Sequence, residues 1–143
     1  MPAEVPGIVL VDPVNCVGVA GKGLALEFKI HYPSQHVAVY TNLCKQSSLK
    51  LGQVAYYKST TTEPSIVYFP TKFHYNDKSH ISNIALGLCD MKKVVIAFGI
   101  KSLAVPALGC GLGGLEFEPV RKLVEALFYD MATEVTIFLH TPR

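Results

Sequence analysis

An apolar run that ends in a glycine-rich turn and then a helix occurs twice in this chain, and that repetition restricts its folds more than any other feature. The first copy begins at Gly7-Ile8-Val9-Leu10-Val11, read as a buried strand bounded by glycine and proline. It runs into Val14-Asn15-Cys16-Val17-Gly18-Val19-Ala20-Gly21-Lys22-Gly23, and a helix is predicted from near Lys22 or Gly23 to about Tyr32, where Pro33 stops it. The second copy pairs the apolar segment 102–106 with Gly109-Cys110-Gly111-Leu112-Gly113-Gly114 and a helix over 116–130. Glycines let main chain approach a ligand closely, and the first N–H groups of a helix lack internal acceptors. Two such loops therefore suit a ligand with two adjacent phosphates, gripped from both sides.

Between the copies, Ser34 is expected to cap a helix through about Gln46, with Val37, Tyr40, Leu43 and Cys44 on one face. Segments 53–58 and 65–69 read as a hairpin, and Pro70–Lys78 as a polar and aromatic loop. Ser79 is expected to cap a helix carrying Ile81, Ile84, Ala85, Leu88 and Met91, which ends at Gly99. A last strand over 134–140 closes the sheet, whereas residues 1–6 read as a frayed lead-in. Strands alternating with helices, plus one hairpin, predict a three-layer α/β/α sandwich with a mixed sheet over a single domain of residues 1–143.

Half of the 143 residues are hydrophobic, enough for a sizeable core, and the net charge of +2 leaves no broad footprint for coating a nucleic-acid duplex. The longest uninterrupted apolar run, Val94–Phe98, is far below the roughly 20 residues of a membrane span. The start of the chain lacks the basic region of a signal peptide, and its four cysteines show no metal-type spacing. These features point to the cytoplasm, to no membrane partner and to no metal.

Asn15, where the first strand meets its loop, can offer donor and acceptor to a ribose-like hydroxyl pair, or can support its own turn. Lys22 resembles a phosphate-reaching lysine, yet Gly23 follows it where a P-loop needs Ser or Thr. Lys72 lies among Phe73, His74 and Tyr75, a setting in which a partly desolvated amine becomes a nucleophile or base; the alternative is a solvated loop lysine. Cys110 is either a thiolate candidate or filler between glycines. Asp12 and Asp77 are the carboxylates nearest the loops.

The three segments Val14–Lys29, Phe69-Pro70-Thr71-Lys72 and Val105–Leu115 together resemble a macrodomain. Phe-Pro-Thr-Lys points to the DarG-type branch, the DNA ADP-ribosyl glycohydrolase antitoxins. The resemblance implies a mostly parallel macrodomain sheet, here expected to lack the usual first edge strand. It implies ADP-ribose as ligand, with its diphosphate among Val17, Gly18, Val19, Gly21, Lys22 and Gly23 on one side and Gly109, Cys110, Gly111, Leu112, Gly113 and Gly114 on the other. Thr71 joins this binding set, while Lys72 and Asn15 are the implied catalytic pair, with no cofactor.

The implied reaction cleaves the bond between C1″ of the distal ribose and a base, most often thymidine in single-stranded DNA. ADP-ribosylated DNA and a toxin ADP-ribosyltransferase are then the implied partners of a monomer, with antitoxin or phage counter-defence roles. Phosphatase action on ADP-ribose-1″-phosphate and non-catalytic reading of ADP-ribose stay open as alternatives. A micromolar ligand corresponds to about 8 kcal/mol, whereas a helix terminus contributes only about 0.3–1 kcal/mol. Adenine stacking and ribose hydrogen bonds must therefore carry much of the affinity. Three departures from the branch stand out: a short lead-in before Gly7, Asp12 in place of Asn, and Gly113 where acyl-ADP-ribose hydrolases carry Asp.

Overall fold

The computed structural model describes residues 7–131 and 135–140. The sheet begins with β1 (Val9–Asn15), which is buried along almost its whole length. It takes the centre of the order β2-β3-β1-β4-β5, with β2 at Ala55–Tyr57, β3 at Ser65–Lys72, β4 at Ser102–Val105 and β5 at Thr136–Leu139. β1 runs parallel to β3 and β4, β4 parallel to β5, and β2 antiparallel to β3, so the sheet is mixed and mostly parallel. A central parallel strand is covered on both faces, which is why β1 reads as a near-continuous apolar run.

Alternate residues of β1 feed different layers. Val9 and Val11 pack with α4 (Ile81–Phe98) and α5 (Phe117–Phe128). Leu10 and Val14 pack with Phe28 of α1 (Gly23–His31) and with Tyr40. This is the three-layer sandwich expected. The α4 helix closes at Gly99, whose left-handed φ of 62° costs glycine less than residues with a Cβ. No helix among the described residues is long and apolar enough to cross a membrane.

Several local expectations change. Pro33 does more than stop α1: it opens α2 (Pro33–Gln35) as its first residue, so Ser34 lies inside that helix, 3.5 Å from Glu63. The chain continues through a π-helical turn (His36–Tyr40) into α3 (Thr41–Lys45). The i→i+5 bonding of that turn breaks the 3.6-residue period, so Val37 faces solvent while Tyr40 is buried. Ser79 does not cap α4; His80 takes the N-cap position, with no side-chain cap bond, and Ser79 packs beneath the second glycine loop. Ile81 is exposed, and Gly87 fills the buried face of α4 against Phe69. The expectations for residues 1–6 and for Glu134 lie outside the described residues.

The most consequential change concerns β3, which extends beyond Phe69 through Lys72. Pro70 has no N–H to give a ladder, and it sits opposite Val14, immediately before a register shift. Leu10 pairs with Ile66 and Val14 with Pro70, but Asn15 pairs with Lys72, leaving Thr71 as the extra residue. Cys16 N–H then donates to Phe73 O at 2.8 Å. The irregularity thus sets Lys72 opposite Asn15 instead of leaving it in a free loop.

Asp12 pairs in register with Tyr68 and is 4% exposed, with Oδ1 lacking any partner among the described residues. Burial pushes its carboxyl well above the usual carboxylate range. Its position inside the α1–α3 layer thus disfavours the charged form near the loops. Because the folded chain holds this proton while the unfolded chain releases it near 3.8, stability falls as pH rises above that value. The loss reaches about 1.4 kcal/mol per pH unit until the folded carboxyl itself ionises. Asp12→Asn should flatten this slope in urea titrations from pH 4 to 8, and equal slopes in both proteins would show a charged Asp12.

Candidate active site

All four parallel strands end at the same edge of the sheet, and there the chain leaves a cleft of about 940 Å³. Such crevices beyond the carboxyl ends of strands are where open α/β sheets take ligands. Asn15 and Lys72 line it from β1 and β3, Pro106 and Ala107 follow β4, and His140 follows β5. Leu10, Leu24, Ala25, Phe28 and Ala104 give it an apolar wall.

Asn15 organises the first glycine loop. Its Oδ1 accepts from the N–H groups of Val17 (3.1 Å), Gly18 (3.1 Å) and Val19 (3.3 Å), while its Nδ2 donates to Val19 O at 2.7 Å. The Tyr40 hydroxyl donates from below, 3.0 Å from both Asn15 Oδ1 and Asn15 O. Burial pushes that phenol well above its ordinary range, so it stays a donor. Asn15 is 6% exposed and keeps one Nδ2 hydrogen for a ligand. Its carboxamide thus holds the loop, and the remaining Nδ2 hydrogen is the part left to serve the catalytic role expected of it.

One consequence removes residues from the expected cradle. The N–H groups of Val17, Gly18 and Val19 are turned onto Asn15 and cannot also face a phosphate. Val17 and Gly18 do not line the cleft, whereas Val19 does through the rest of its residue. The part of the loop that lines the cleft is Gly21 and Lys22, followed by Leu24 and Ala25 at the start of α1. The first intrahelical bond is Leu26 N–H to Lys22 O, so the N–H groups of Gly23, Leu24 and Ala25 have no acceptor within the helix.

The second loop meets the first across the cleft: a Cβ placed on Gly23 would lie 3.8 Å from Leu112 Cδ1. Gly109, Cys110, Gly111, Leu112 and Gly113 line the cleft; Gly23 and Gly114 do not. Gly114 N–H donates to Gly111 O at 3.2 Å and Cys110 N–H to Ala107 O at 3.1 Å, so both are spent inside the loop. The N–H groups of Gly111, Leu112 and Gly113 have no backbone acceptor recorded among the described residues. Ser79, 5% exposed, holds the loop from behind by donating its N–H to Gly113 O at 3.0 Å. A Cβ on Gly113 would run into Ser79 Oγ and come within 2.5 Å of Gly109 O. The loop as folded has no room for a carboxylate side chain at 113, which accounts for glycine there.

Lys72 is half-buried at the β3 end of the cleft, beside Thr71, which is buried and also lines it. Cys110 is not at a helix start, because α5 begins only at Phe117. Burial pushes its thiol up, and Sγ lies 3.6 Å from Leu108 O as a donor, so it is filler and no thiolate. Asp77 lines the cleft, but its Oδ2 accepts from His74 N–H at 2.9 Å. Tyr40, Ser79, Tyr75 and His140 were not legible as site residues: Tyr40 reads as helix face, Ser79 as a cap, Tyr75 as a loop neighbour of Lys72 and His140 as the end of the last strand. Among the described residues no three His, Cys, Asp or Glu side chains gather as a metal site.

Residues 11–124 match the Macro domain family. The DNA ADP-ribosyl glycohydrolase of Mycobacterium tuberculosis is 39% identical over 124 residues, covering 85% of this chain and 35% of that protein. The chain thus spans about a third of the length of that curated relative. The solved macrodomain of Mycobacterium tuberculosis DarG superposes with a TM-score of 0.89 at 36% identity, over 94% of this chain and 89% of that one. Thermosipho africanus DarTG, solved in complex with ADP-ribose, gives 0.84 at 37% identity over 94% of this chain and 38% of that one. With the family matched over residues 11–124 and the DarG macrodomain fold shared over 94% of its length, this chain belongs to the macro domain family and is similar to its DarG members.

Proposed function

We propose that this chain is a hydrolase that removes ADP-ribose from nucleic acid, with thymidine-linked ADP-ribose in single-stranded DNA as its substrate. The observation that carries this reading is the register shift that sets Lys72 opposite Asn15 at one end of a cleft walled by two glycine loops. In this reading the diphosphate lies between the start of α1 and the N–H groups of Gly111–Gly113. The apolar wall at Leu10, Phe28 and Ala104 receives the adenine, towards His140. The distal ribose then falls at the β3 end, under the Lys72 amine.

The Lys72 amine attacks or activates C1″ of the ring-opened ribose. In the covalent form, a bond from Nζ to C1″ forms as the bond from C1″ to the base nitrogen breaks, and the base leaves with a proton. Water then hydrolyses the imine, freeing ADP-ribose and restoring the amine. The step uses neither metal nor cofactor. Proteins named DNA ADP-ribosyl glycohydrolase at 34–39% identity support the reaction class. A Thermosipho africanus relative named as a DNA ADP-ribosyl transferase–glycohydrolase fusion supports a toxin ADP-ribosyltransferase as partner. We place this activity in a single monomeric domain in the cytoplasm, as an antitoxin or a phage counter-defence factor.

Three substrates test the proposal: an oligonucleotide with thymidine-linked ADP-ribose, a protein with ADP-ribose on glutamate, and ADP-ribose-1″-phosphate. ADP-ribose should be released from the oligonucleotide alone, since residue 113 supplies no carboxylate for the glutamate ester. Phosphate release without oligonucleotide cleavage would instead identify a phosphatase, and binding without turnover a reader.

A further inference from the structure

We propose that Tyr75 is a stacking platform for a nucleobase of the single strand whose ADP-ribose enters the cleft. This inference rests on the nucleic-acid reading above and adds a residue that selects for the strand instead of for ADP-ribose. Tyr75 lines the cleft yet is 47% exposed, which places it at the rim beside Lys72. Its ring leans on His74, with centroids 4.1 Å apart and planes at 32°. His74 covers part of the aromatic surface, and the remainder faces solvent.

The turn that carries the pair is held at both ends. Phe73 O accepts from Cys16 N–H at 2.8 Å, tying the turn to the first glycine loop. Further along, His74 N–H donates to Asp77 Oδ2 (2.9 Å) and Asp77 N–H donates back to His74 O (3.0 Å). Asn76 N–H donates to His74 Nδ1 at 3.2 Å, which fixes the ring against which Tyr75 rests.

A short surface turn does not need two large aromatics for its own stability, and Phe73 and Tyr75 are absent from both buried clusters. An aromatic presented in advance of binding loses little entropy when a base stacks on it, and stacking tolerates any base because every base has a π-face. Lys72 and Lys78 flank the turn, and neither is in an ion pair among the described residues. A cationic border with one aromatic face fits a single nucleotide step of a flexible strand. It also fits a net charge of only +2, too small for a long tract.

The test uses Lys72→Ala as background, so that substrate persists during the measurement. Fluorescence anisotropy gives the Kd of a short single-stranded oligonucleotide bearing thymidine-linked ADP-ribose, and calorimetry gives the Kd of free ADP-ribose. Adding Tyr75→Ala should weaken oligonucleotide binding about tenfold, the scale of one lost base–aromatic stack, and leave ADP-ribose binding within about twofold. Tyr75→Trp should restore the oligonucleotide Kd. An equal loss for both ligands would make Tyr75 part of the ADP-ribose pocket, and no loss for either would remove it from recognition; each result overturns the proposal. So does an oligonucleotide that binds no tighter than ADP-ribose itself. Absence of ADP-ribose release by the unaltered protein would sink the glycohydrolase reading separately, because the binding comparison does not depend on turnover.

Discussion

Lys72→Ala should abolish release of ADP-ribose from a thymidine-modified oligonucleotide while leaving a protein that still binds ADP-ribose. Removing the nucleophile takes away the covalent route, and a loss of at least about a thousandfold in kcat is expected for such a group. ADP-ribose affinity should change by less than about threefold, because the proposed binding mode sets the phosphates on the N–H groups at the start of α1 and in the second loop. Lys72→Arg is the sharper variant: it keeps the positive charge, but a guanidinium stays protonated and cannot attack C1″. Full activity in Lys72→Ala would remove Lys72 from the chemistry. Activity retained only in Lys72→Arg would leave it an electrostatic role, without a covalent step.

The second large effect is expected at Asn15, and it should differ in kind. Asn15→Ala leaves the N–H groups of Val17, Gly18 and Val19 without their shared acceptor, while the Tyr40 hydroxyl keeps the main-chain oxygen of residue 15. Each unpaired buried donor costs about 1–3 kcal/mol, and partial opening of the loop to water offsets some of that. A stability loss of about 2–4 kcal/mol in urea unfolding is the expected result. ADP-ribose affinity should fall more than tenfold, because the loop that leads into α1 loses its anchor. Asn15→Asp keeps the acceptor for the three N–H groups but loses the 2.7 Å bond to Val19 O and sets two acceptors together there, so it should recover only part of the stability. A variant Asn15→Ala that folds normally, binds ADP-ribose normally and fails only in kcat would return this residue to a catalytic role.

These two variants separate functions that the sequence had merged. Asn15 and Lys72 looked like one catalytic pair, and both line the cleft, yet most of the Asn15 carboxamide is engaged by its own loop. The difference lies in contacts that no local pattern encodes. Tyr40 reaches Asn15 from a position 25 residues away, on a π-helical turn that helical periodicity does not anticipate. Ser79 has the residue type and position of a helix cap, but the contact that matters is its bond to Gly113. The same holds for Asp12, whose charge state depends on the layer into which its strand position turns it.

What the sequence determined by itself is the frame: a strand, a glycine loop and a helix, twice, with a hairpin between them, and helices ending at Gly99 and starting near Lys22 and Glu116. These are local properties, because apolar period, proline and glycine act within a few residues of where they stand. Only the tertiary structure decided which N–H groups face the cleft, that residue 113 has no room for a side chain, and that Lys72 lies opposite Asn15. Each of those depends on the register between β1 and β3 or on packing between distant segments. A shift of one residue beside Pro70 changes every such contact without changing any local signal.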